Sequence, residues 1–298
     1  MADEKDRGAL LGALEAGGTK MVLATGYADG TVVERFETPT TAPEDVVPRM
    51  AAWFKERGVA AVGVGAFGPT GVNPRSATFG HVLDTPKPGW RGYDFRGEMM
   101  RGTGVAVGYD TDVNVACLGE VTFGSSRGLD VVVYLTVGTG VGAGVMIDGR
   151  LLHGMLHPEA GHVLLTRRAD DQAPSSCPFH DNCLEGLAAG PAIQKHWGAP
   201  AVELADRPEV WDLESDYLAQ ALAGYVMCYS PQRIILGGGV MKQEQLFPLV
   251  REKVAANIAG YLKTDELADM DSYIVPASLG GDQGIMGCLE LARRELEA

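Results

Sequence analysis

The chain of 298 residues is short of basic side chains and has few cysteines. Each shortage removes a class of explanation. Lys plus Arg number 25 against 39 Asp plus Glu, so a net charge of −14 repels phosphate backbones and anionic lipid over most of the surface. No nucleic-acid or membrane partner is expected. Five cysteines, at 117, 177, 183, 228 and 288, are odd in number and scattered, which argues against a disulfide framework. No long apolar run occurs near the start: the charged stretch MADEKDR leads through a short apolar segment into a glycine turn. Neither a signal peptide nor a membrane span is expected there, and the expected location is the cytoplasm. The sequence also lacks GxxxxGK[ST], and no GxGxxG follows the first strand with an acid about 20 residues on. Walker-type and dinucleotide-type sites therefore have no signature.

Glycine is what the chain has in excess. Its 40 glycines are about twice the roughly 7% of an average chain, with no collagen-like period or low-complexity block to absorb them. They must serve local turns and close backbone approaches. With 46% hydrophobic residues the chain can bury a full core unaided, as one large domain or two medium ones.

The first ordered piece reads as a strand from Leu10 to Ala16, a turn at Gly17-Gly18, a strand from Lys20 to Tyr27, and an Asp29-Gly30 hairpin into Thr31–Phe36. A helix follows. Thr41 and Glu44 have capping-box spacing, Val46, Val47, Met50 and Phe54 make an apolar stripe, and Gly58 stops it. Val59–Phe67 and Val105–Tyr109 read as strands, and a helix runs from Val113 to Gly124. The opening pattern then returns. LEAGGTKMVLATGYADGTVV and LTVGTGVGAGVMIDGRLL share strand, glycine turn, strand, Asp-Gly turn and strand, beginning at Leu14 and at Leu135. Such self-similarity points to two related α/β halves with a cleft between them. The expected lobes are 8–112, with the closing helix 282–298 packed on it, and 113–281, carrying an irregular loop over 157–185. Within the second lobe helices are expected over Cys183–Trp197, Glu214–Tyr229 and Gln243–Tyr261, and strands over Arg233–Leu236 and Tyr273–Ala277.

Three glycine turns, at 17–18, 138–140 and 237–239, each directly follow a strand. Bare backbone there lets N–H groups approach phosphate oxygens. One such turn is usually an ordinary tight turn, but three in one α/β chain, two within a duplicated unit, favour a gripped nucleotide. Alanine at Gly18, Gly138 or Gly238 is expected to weaken nucleotide binding more than it weakens the fold. Between His157 and Glu185, the C-x2-H-x2-C spacing of Cys177, His180 and Cys183, with His162 upstream, supplies two thiolates and two imidazoles for a tetrahedral, structural zinc site. His153 and His157 are rivals for the fourth position. Asp112 at a strand-to-helix junction is the candidate catalytic carboxylate, unless it merely caps the helix or Asp110 is the residue that matters. Glu159 and Glu185 flank the loop, placed to accept hydrogen bonds from a polyol.

These residues identify a resemblance that covers essentially the whole chain. LEAGGTK, GPTGVNP, TDVNVACLGE, LTVGTGVGAG, ILGGGV and GGDQGIMG resemble, in order, the first phosphate motif, sugar-side loop, catalytic-Asp segment, second phosphate motif, adenosine segment and C-terminal signature of the ROK family of sugar kinases. HPEAGH followed by CPFHDNCLEGLAAGPAI is most similar to its fructokinase branch; the family's glucokinases carry CxCGxxGCxE instead. The resemblance implies an actin/hexokinase-like (ribonuclease H-like), duplicated two-lobed fold and a homodimer. It implies transfer of the γ-phosphate of ATP, with Mg²⁺, to a hexose, D-fructose at its 6-hydroxyl first. Glucose, mannose or an N-acetylhexosamine is the alternative substrate, and a zinc-stabilised, non-catalytic sugar sensor the alternative function. Carried over by position, Asp112 becomes the base, and Gly68, Pro69, Glu159, His162 and Glu185 sugar-binding residues. Glu15, Gly17, Gly18, Thr19, Lys20, Gly138, Thr139 and Gly140 face the phosphates. Pro191, Gly237, Gly238, Gly239 and Val240 bound the nucleotide pocket, and His162, Cys177, His180 and Cys183 hold zinc. Glu15 stands where many members have Asp, and Thr111 where glucokinases have Asn. The family's repressors add an N-terminal DNA-binding module, for which no room is expected before the first strand.

Overall fold

The repeat in the sequence becomes two five-stranded sheets with the same strand order in the computed structural model, which describes residues 8–298. The charged stretch MADEKDR lies outside the described residues. In the first sheet, β1 (Leu11–Ala16) and β2 (Lys20–Gly26) pair antiparallel, β3 (Val32–Pro39) extends the ribbon, and β4 (Ala61–Ala66) and β5 (Ala106–Thr111) run parallel to β1, giving β3-β2-β1-β4-β5. In the second, β6 (Val132–Val137), β7 (Val141–Ile147) and β8 (Arg150–Leu151) repeat the ribbon. There β9 (Arg233–Gly237) and β10 (Ile274–Pro276) repeat the parallel strands, giving β8-β7-β6-β9-β10. Each Asp-Gly pair makes its turn, Gly30 at φ +85° and Asp148-Gly149 at +49° and +70°. The chain clusters into two compact units. One runs to Gly128 and takes in Leu151–His157 and Ser278–Ala298; the other comprises Leu129–Arg150 and Pro158–Ala277. This is the duplicated α/β architecture the resemblance implies.

In the first unit the inner strands β1, β2 and β4 are buried on both faces, so they are apolar on both sides rather than alternating. Leu14, Ala16, Met21 and Leu23 pack under α1 (Pro43–Glu56) and α2 (Phe95–Thr103) with Met50, Phe54, Phe95 and Met99. The opposite face, with Leu11, Ala13, Val22 and Ala24, receives α10 (Gln283–Glu297) through Ile285, Cys288 and Leu289. The helix α3 (Asp112–Thr122) belongs to this unit and packs on α10. Glycines explain how closely: a Cβ at Gly287 would strike the Val115 carbonyl, and one at Gly119 the Gln283 carbonyl. Part of the glycine excess therefore serves helix crossing rather than ligand binding.

In the second unit α4 (Leu184–Ala188), α5 (Gly190–Trp197), α6 (Pro208–Tyr229) and α7 (Leu246–Ile258) are followed by single-turn helices α8 (Asp265–Ala268) and α9 (Met270–Tyr273). The structure corrects three local expectations. Thr41 does not cap α1: the N-cap is Ala42, which makes no side-chain cap, and Pro43 opens the helix instead. The helix expected over Cys183–Trp197 breaks at Ala189 (φ −69°, ψ 157°) ahead of Gly190-Pro191. The helix expected from Glu214 starts a turn and a half earlier, at Pro208. No helix among the described residues is long and apolar enough to cross a membrane.

Candidate functional site

The carboxyl ends of parallel strands are where backbone and helix termini converge, and the register of the first sheet aligns three of them. Ala16 pairs with Ala66, and Ala66 with Thr111, so Gly17, Phe67 and Asp112 leave the sheet side by side. Asp112 is the first residue of α3, where the helix dipole favours an anion. It is not the N-cap. That role is taken by Thr111, whose Oγ1 accepts from Asn114 N at 3.0 Å, while Asp112 Oδ1 accepts from its neighbour Val113 N at 2.8 Å.

Asp110, the rival carboxylate, is 2% exposed and engaged on both oxygens. Oδ1 accepts from Thr111 N (2.8 Å) and Asn114 Nδ2 (2.6 Å), and Oδ2 lies 2.8 Å from His153 Nε2. Burial pulls the His153 imidazole down, but the hydrogen bond and charge of Asp110 outweigh it and hold its pKa above the usual value. Asp110 thus fastens the start of α3 from below. The Asn114 partner was readable from the D-T-D-V-N spacing; nothing local pointed to His153, which arrives from the segment after β8.

Glu15, near the end of β1, is pushed from the usual 4.5 up to about 7. Burial is the main cause, the charges of Asp112 and Asp282 add to it, and Lys20 and Arg35 offset only part. The turn after β1 closes through Gly17 N donating to Lys20 O at 2.9 Å, and Thr40 Oγ1 donating to Gly17 O at 2.9 Å. Lys20 reaches away to Glu37 at 2.8 Å in an exposed pair. The loop Gly68-Pro69 is held by Leu83 N donating to Pro69 O at 2.9 Å, and its Gly68 faces His157.

In the second unit three remote segments meet. Gly138 N donates to Gly140 O (2.8 Å), closing the turn that carries Thr139, and Gly190 N donates to Gly138 O (2.8 Å). The break before α5 therefore brings Pro191 to this turn. Gly239 N lies 3.9 Å from where a Gly138 Cβ would stand, which brings Gly237–Val240 to the same place. Gly238 holds φ +92°, and a Cβ there would collide with the Val137 backbone. Its substitution would disturb the fold first, contrary to the expectation that alanine there acts mainly on nucleotide binding.

His162, Cys177, His180 and Cys183 present ligand atoms within 4.8 Å of one another. His162 Nδ1 lies 3.6 Å from Cys183 Sγ and 3.8 Å from Cys177 Sγ, and His180 Nδ1 lies 3.7 Å from Cys177 Sγ. A tetrahedral ion at about 2.3 Å from sulfur and about 2.0–2.1 Å from nitrogen sets S and N about 3.6 Å apart, so the donors fit a metal ion. Backbone amides point at both sulfurs, Phe179 N at Cys177 Sγ (3.5 Å) and Gly186 N at Cys183 Sγ (3.3 Å). The rivals are elsewhere: His153 is on Asp110 and His157 beside Gly68. Outside the cluster, Glu185 spans two groups, with Oε1 3.9 Å from His162 Nε2 and Oε2 accepting from Val141 N at 3.0 Å. Glu159 directly precedes the short helical turn Ala160–His162.

Comparison with known proteins finds relatives along most of the chain. The model of the ROK family matches residues 11–295. A fructokinase of Pediococcus pentosaceus is 45% identical over 97% of this chain and 99% of its own, and a fructokinase of Streptococcus mutans 38% identical over 96% and 98%. Among solved structures, the ROK hexokinase of Thermus thermophilus superposes with a TM-score of 0.79 at 27% identity, covering 97% of this chain and 99% of that one.

Proposed function

Because the chain belongs to the ROK family, we infer that it is a sugar kinase transferring the γ-phosphate of ATP to the 6-hydroxyl of D-fructose, giving fructose 6-phosphate. The observation that carries this reading is likeness to fructokinases of several bacteria, 37–45% identical over 95–97% of this chain. The residue assignments below belong to the same reading.

Asp112 acts as the base. Pinned by Val113 N and braced from beneath by the Asp110–Asn114–His153 network, its carboxylate is oriented before substrate arrives. In phosphoryl transfer the hydroxyl proton leaves late, so a fixed carboxylate suffices to aim the attacking oxygen. The nucleotide enters as MgATP, its cation offsetting phosphate charge. The Gly17-Gly18-Thr19 turn, through the Gly18 and Thr19 amides, and the Gly138-Thr139-Gly140 turn face phosphate oxygens, with Glu15 and Lys20 beside the first turn and Pro191 and Gly237–Val240 bounding the base and ribose. Gly68, Pro69, Glu159, His162 and Glu185 hold the sugar. Glu185 is suited to this because its carboxylate is held by Val141 N, and Gly140 leaves it room.

Zinc is the ion that the His162, Cys177, His180 and Cys183 set suits, since two thiolates and two imidazoles are soft and borderline donors that magnesium and calcium avoid. With four protein ligands the ion leaves no open position and serves to staple the loop that carries Glu159 and Glu185. The reading further takes the enzyme as a cytoplasmic homodimer, which sedimentation of the pure protein tests in its second part. The decisive assay supplies ATP, Mg²⁺ and a panel of hexoses and follows ADP. Fructose turnover supports the reading, and failure of every hexose in the panel to raise ADP formation overturns it.

A further inference from the structure

The turn after β1 has an uneven hydrogen-bond account. All three of its carbonyls are occupied: Gly17 O by Thr40 Oγ1 (2.9 Å), Gly18 O by Lys87 Nζ (2.8 Å) and Thr19 O by Thr40 N (3.0 Å). The amides of Gly18 and Thr19, both exposed, donate to nothing among the described residues. With acceptors tied back and donors open, the turn presents a positive concavity. The side chain that ties Gly18 is itself a cation. Lys87 makes no carboxylate pair among the described residues, in a chain of net charge −14, whereas Lys20 on the same turn is spent on Glu37.

Lys87 is also held where a charge would be useful. Its Nζ stands 5.1 Å from the centre of the Phe67 ring, a cation–π distance. Phe67 follows β4, the strand lying between β1, which leads to the glycine turn, and β5, which leads to Asp112. Asp112 is two strand spacings, about 10 Å, from that turn. Lys87 therefore contacts the first and middle members of the row that ends in Asp112. Its backbone is fixed by a short anchored loop: Trp90 N donates to Lys87 O (3.2 Å), Trp90 is 1% exposed, and its Nε1 donates to Thr41 O (2.9 Å). Pro86 and Pro88 on either side stiffen the segment further.

We propose that Lys87 is the phosphate-holding cation of this turn: with one N–H on Gly18 O, its ammonium donates another to the terminal phosphate of bound ATP, alongside the Gly18 and Thr19 amides. The proposal rests on the kinase reading, because it is the transferred phosphate that must lie toward Asp112. A lysine is a point charge with three rotatable donors and can keep the turn carbonyl while engaging an oxygen. Charge builds on the phosphoryl group in the transition state, so the contact should act on kcat as well as on binding.

The test pairs kinetics with binding in the full-length protein. Lys87→Met is expected to lose about 10²-fold in kcat, to bind the non-hydrolysable analogue AMPPNP with Mg²⁺ at least about tenfold more weakly, and to keep ADP affinity and the fructose KM within about twofold. Lys87→Arg, which retains charge, should recover part of both losses. Two results would overturn the proposal: Lys87→Met with wild-type kcat and AMPPNP affinity, or equal weakening for ADP and AMPPNP, which would make Lys87 only a pin for the turn. A wild-type protein that phosphorylates no sugar would refute the kinase reading instead, and the AMPPNP-to-ADP comparison would still judge Lys87.

Discussion

Replacing Glu15 by Gln should stabilise this protein above neutral pH while impairing it as a kinase. Burial, with Asp112 and Asp282 nearby, raises the Glu15 carboxyl from 4.5 to about 7 in the folded chain. Below pH 4.5 the carboxyl is protonated in both folded and unfolded chains and contributes nothing. Between there and pH 7 the unfolded chain releases its proton while the folded chain retains it, so stability falls as pH rises. Above pH 7 both forms are ionised and the loss is complete. At about 1.4 kcal/mol per pH unit the shift corresponds to about 3 kcal/mol, an upper figure because the side chain is only partly shielded from water. Gln keeps the shape and cannot ionise. For a unit of this size about 2–4 °C accompanies each kcal/mol, so Glu15→Gln should melt up to about 6–12 °C above wild type at pH 8 and level with it at pH 4.5.

Thermal unfolding of both proteins across pH 4.5 to 8.5 reads this directly. An offset that stays constant with pH, or a Gln variant that melts lower at pH 8, would refute the reasoning. Asp112→Asn supplies an internal check, because it removes the second-largest cause of the shift and should shrink the pH dependence without abolishing it. The cost is of the kind expected where a site holds two carboxylates together for chemistry rather than for stability.

Further outcomes follow from other parts of the chain. Asp112→Asn should lower kcat by about 10³-fold, within the range for a removed base, with secondary structure by circular dichroism unchanged; a kcat within tenfold of wild type would remove Asp112 from that role. The double change Cys177→Ser, Cys183→Ser should take elemental analysis from about one zinc per chain to none and lower the melting temperature, whereas retained zinc would show the ligand set to be wrong. Gly238→Ala should cost about 2 kcal/mol in urea unfolding, from its left-handed φ and the collision with Val137, while Gly18→Ala, which meets only Lys87 Nζ at 3.2 Å, should leave stability nearly unchanged and raise the KM for ATP. Glu214 on α6 is 3% exposed, its Oε1 has no hydrogen-bond partner, and burial raises its pKa well above the usual value. Glu214→Met should therefore stabilise by about 1 kcal/mol or more, and by more at pH 8 than at pH 4.5, as melting at both would show.

What the sequence displays and what it conceals follow from the range of the interactions. The paired ribbons are readable because Asp29-Gly30 and Asp148-Gly149 set hairpin turns within two residues, and α1 because Val46, Val47, Met50 and Phe54 repeat at helical spacing. The helix α2 escapes that reading: Gly97 and Gly102 dilute its stripe, although Asp94, which accepts from Gly97 N, and Gly104 at φ +79° mark both ends. The break at Ala189 is concealed for another reason. Apolar periodicity on either side masks the Gly190-Pro191 turn signal within 183–197, and the hydrogen bond from Gly190 N to Gly138 O, offered by a turn far away in sequence, helps hold α4 and α5 apart.

The same distinction divides the candidate site. Asp112, the glycine turns and the cysteine-histidine loop are contiguous motifs, and their residue types alone suggest their chemistry. The groups that orient them are remote in the chain: His153 beneath Asp110, Lys87 on Gly18, and the Val141 amide on Glu185. Each meets its partner only because a particular strand register or loop anchor delivers it there. A one-residue slip of β5 against β4 would turn Asp110 out of the interior and move Asp112 off the row it shares with Gly17 and Phe67. The apolar strand residues, which carry no chemistry themselves, therefore decide whether the catalytic motif is aimed. That makes Val107, buried in β5 at 0% exposure, a more informative control than a surface change. Val107→Ala should cost about 1–3 kcal/mol, and if register is what aims Asp112, it should lower kcat only as far as it lowers the folded fraction.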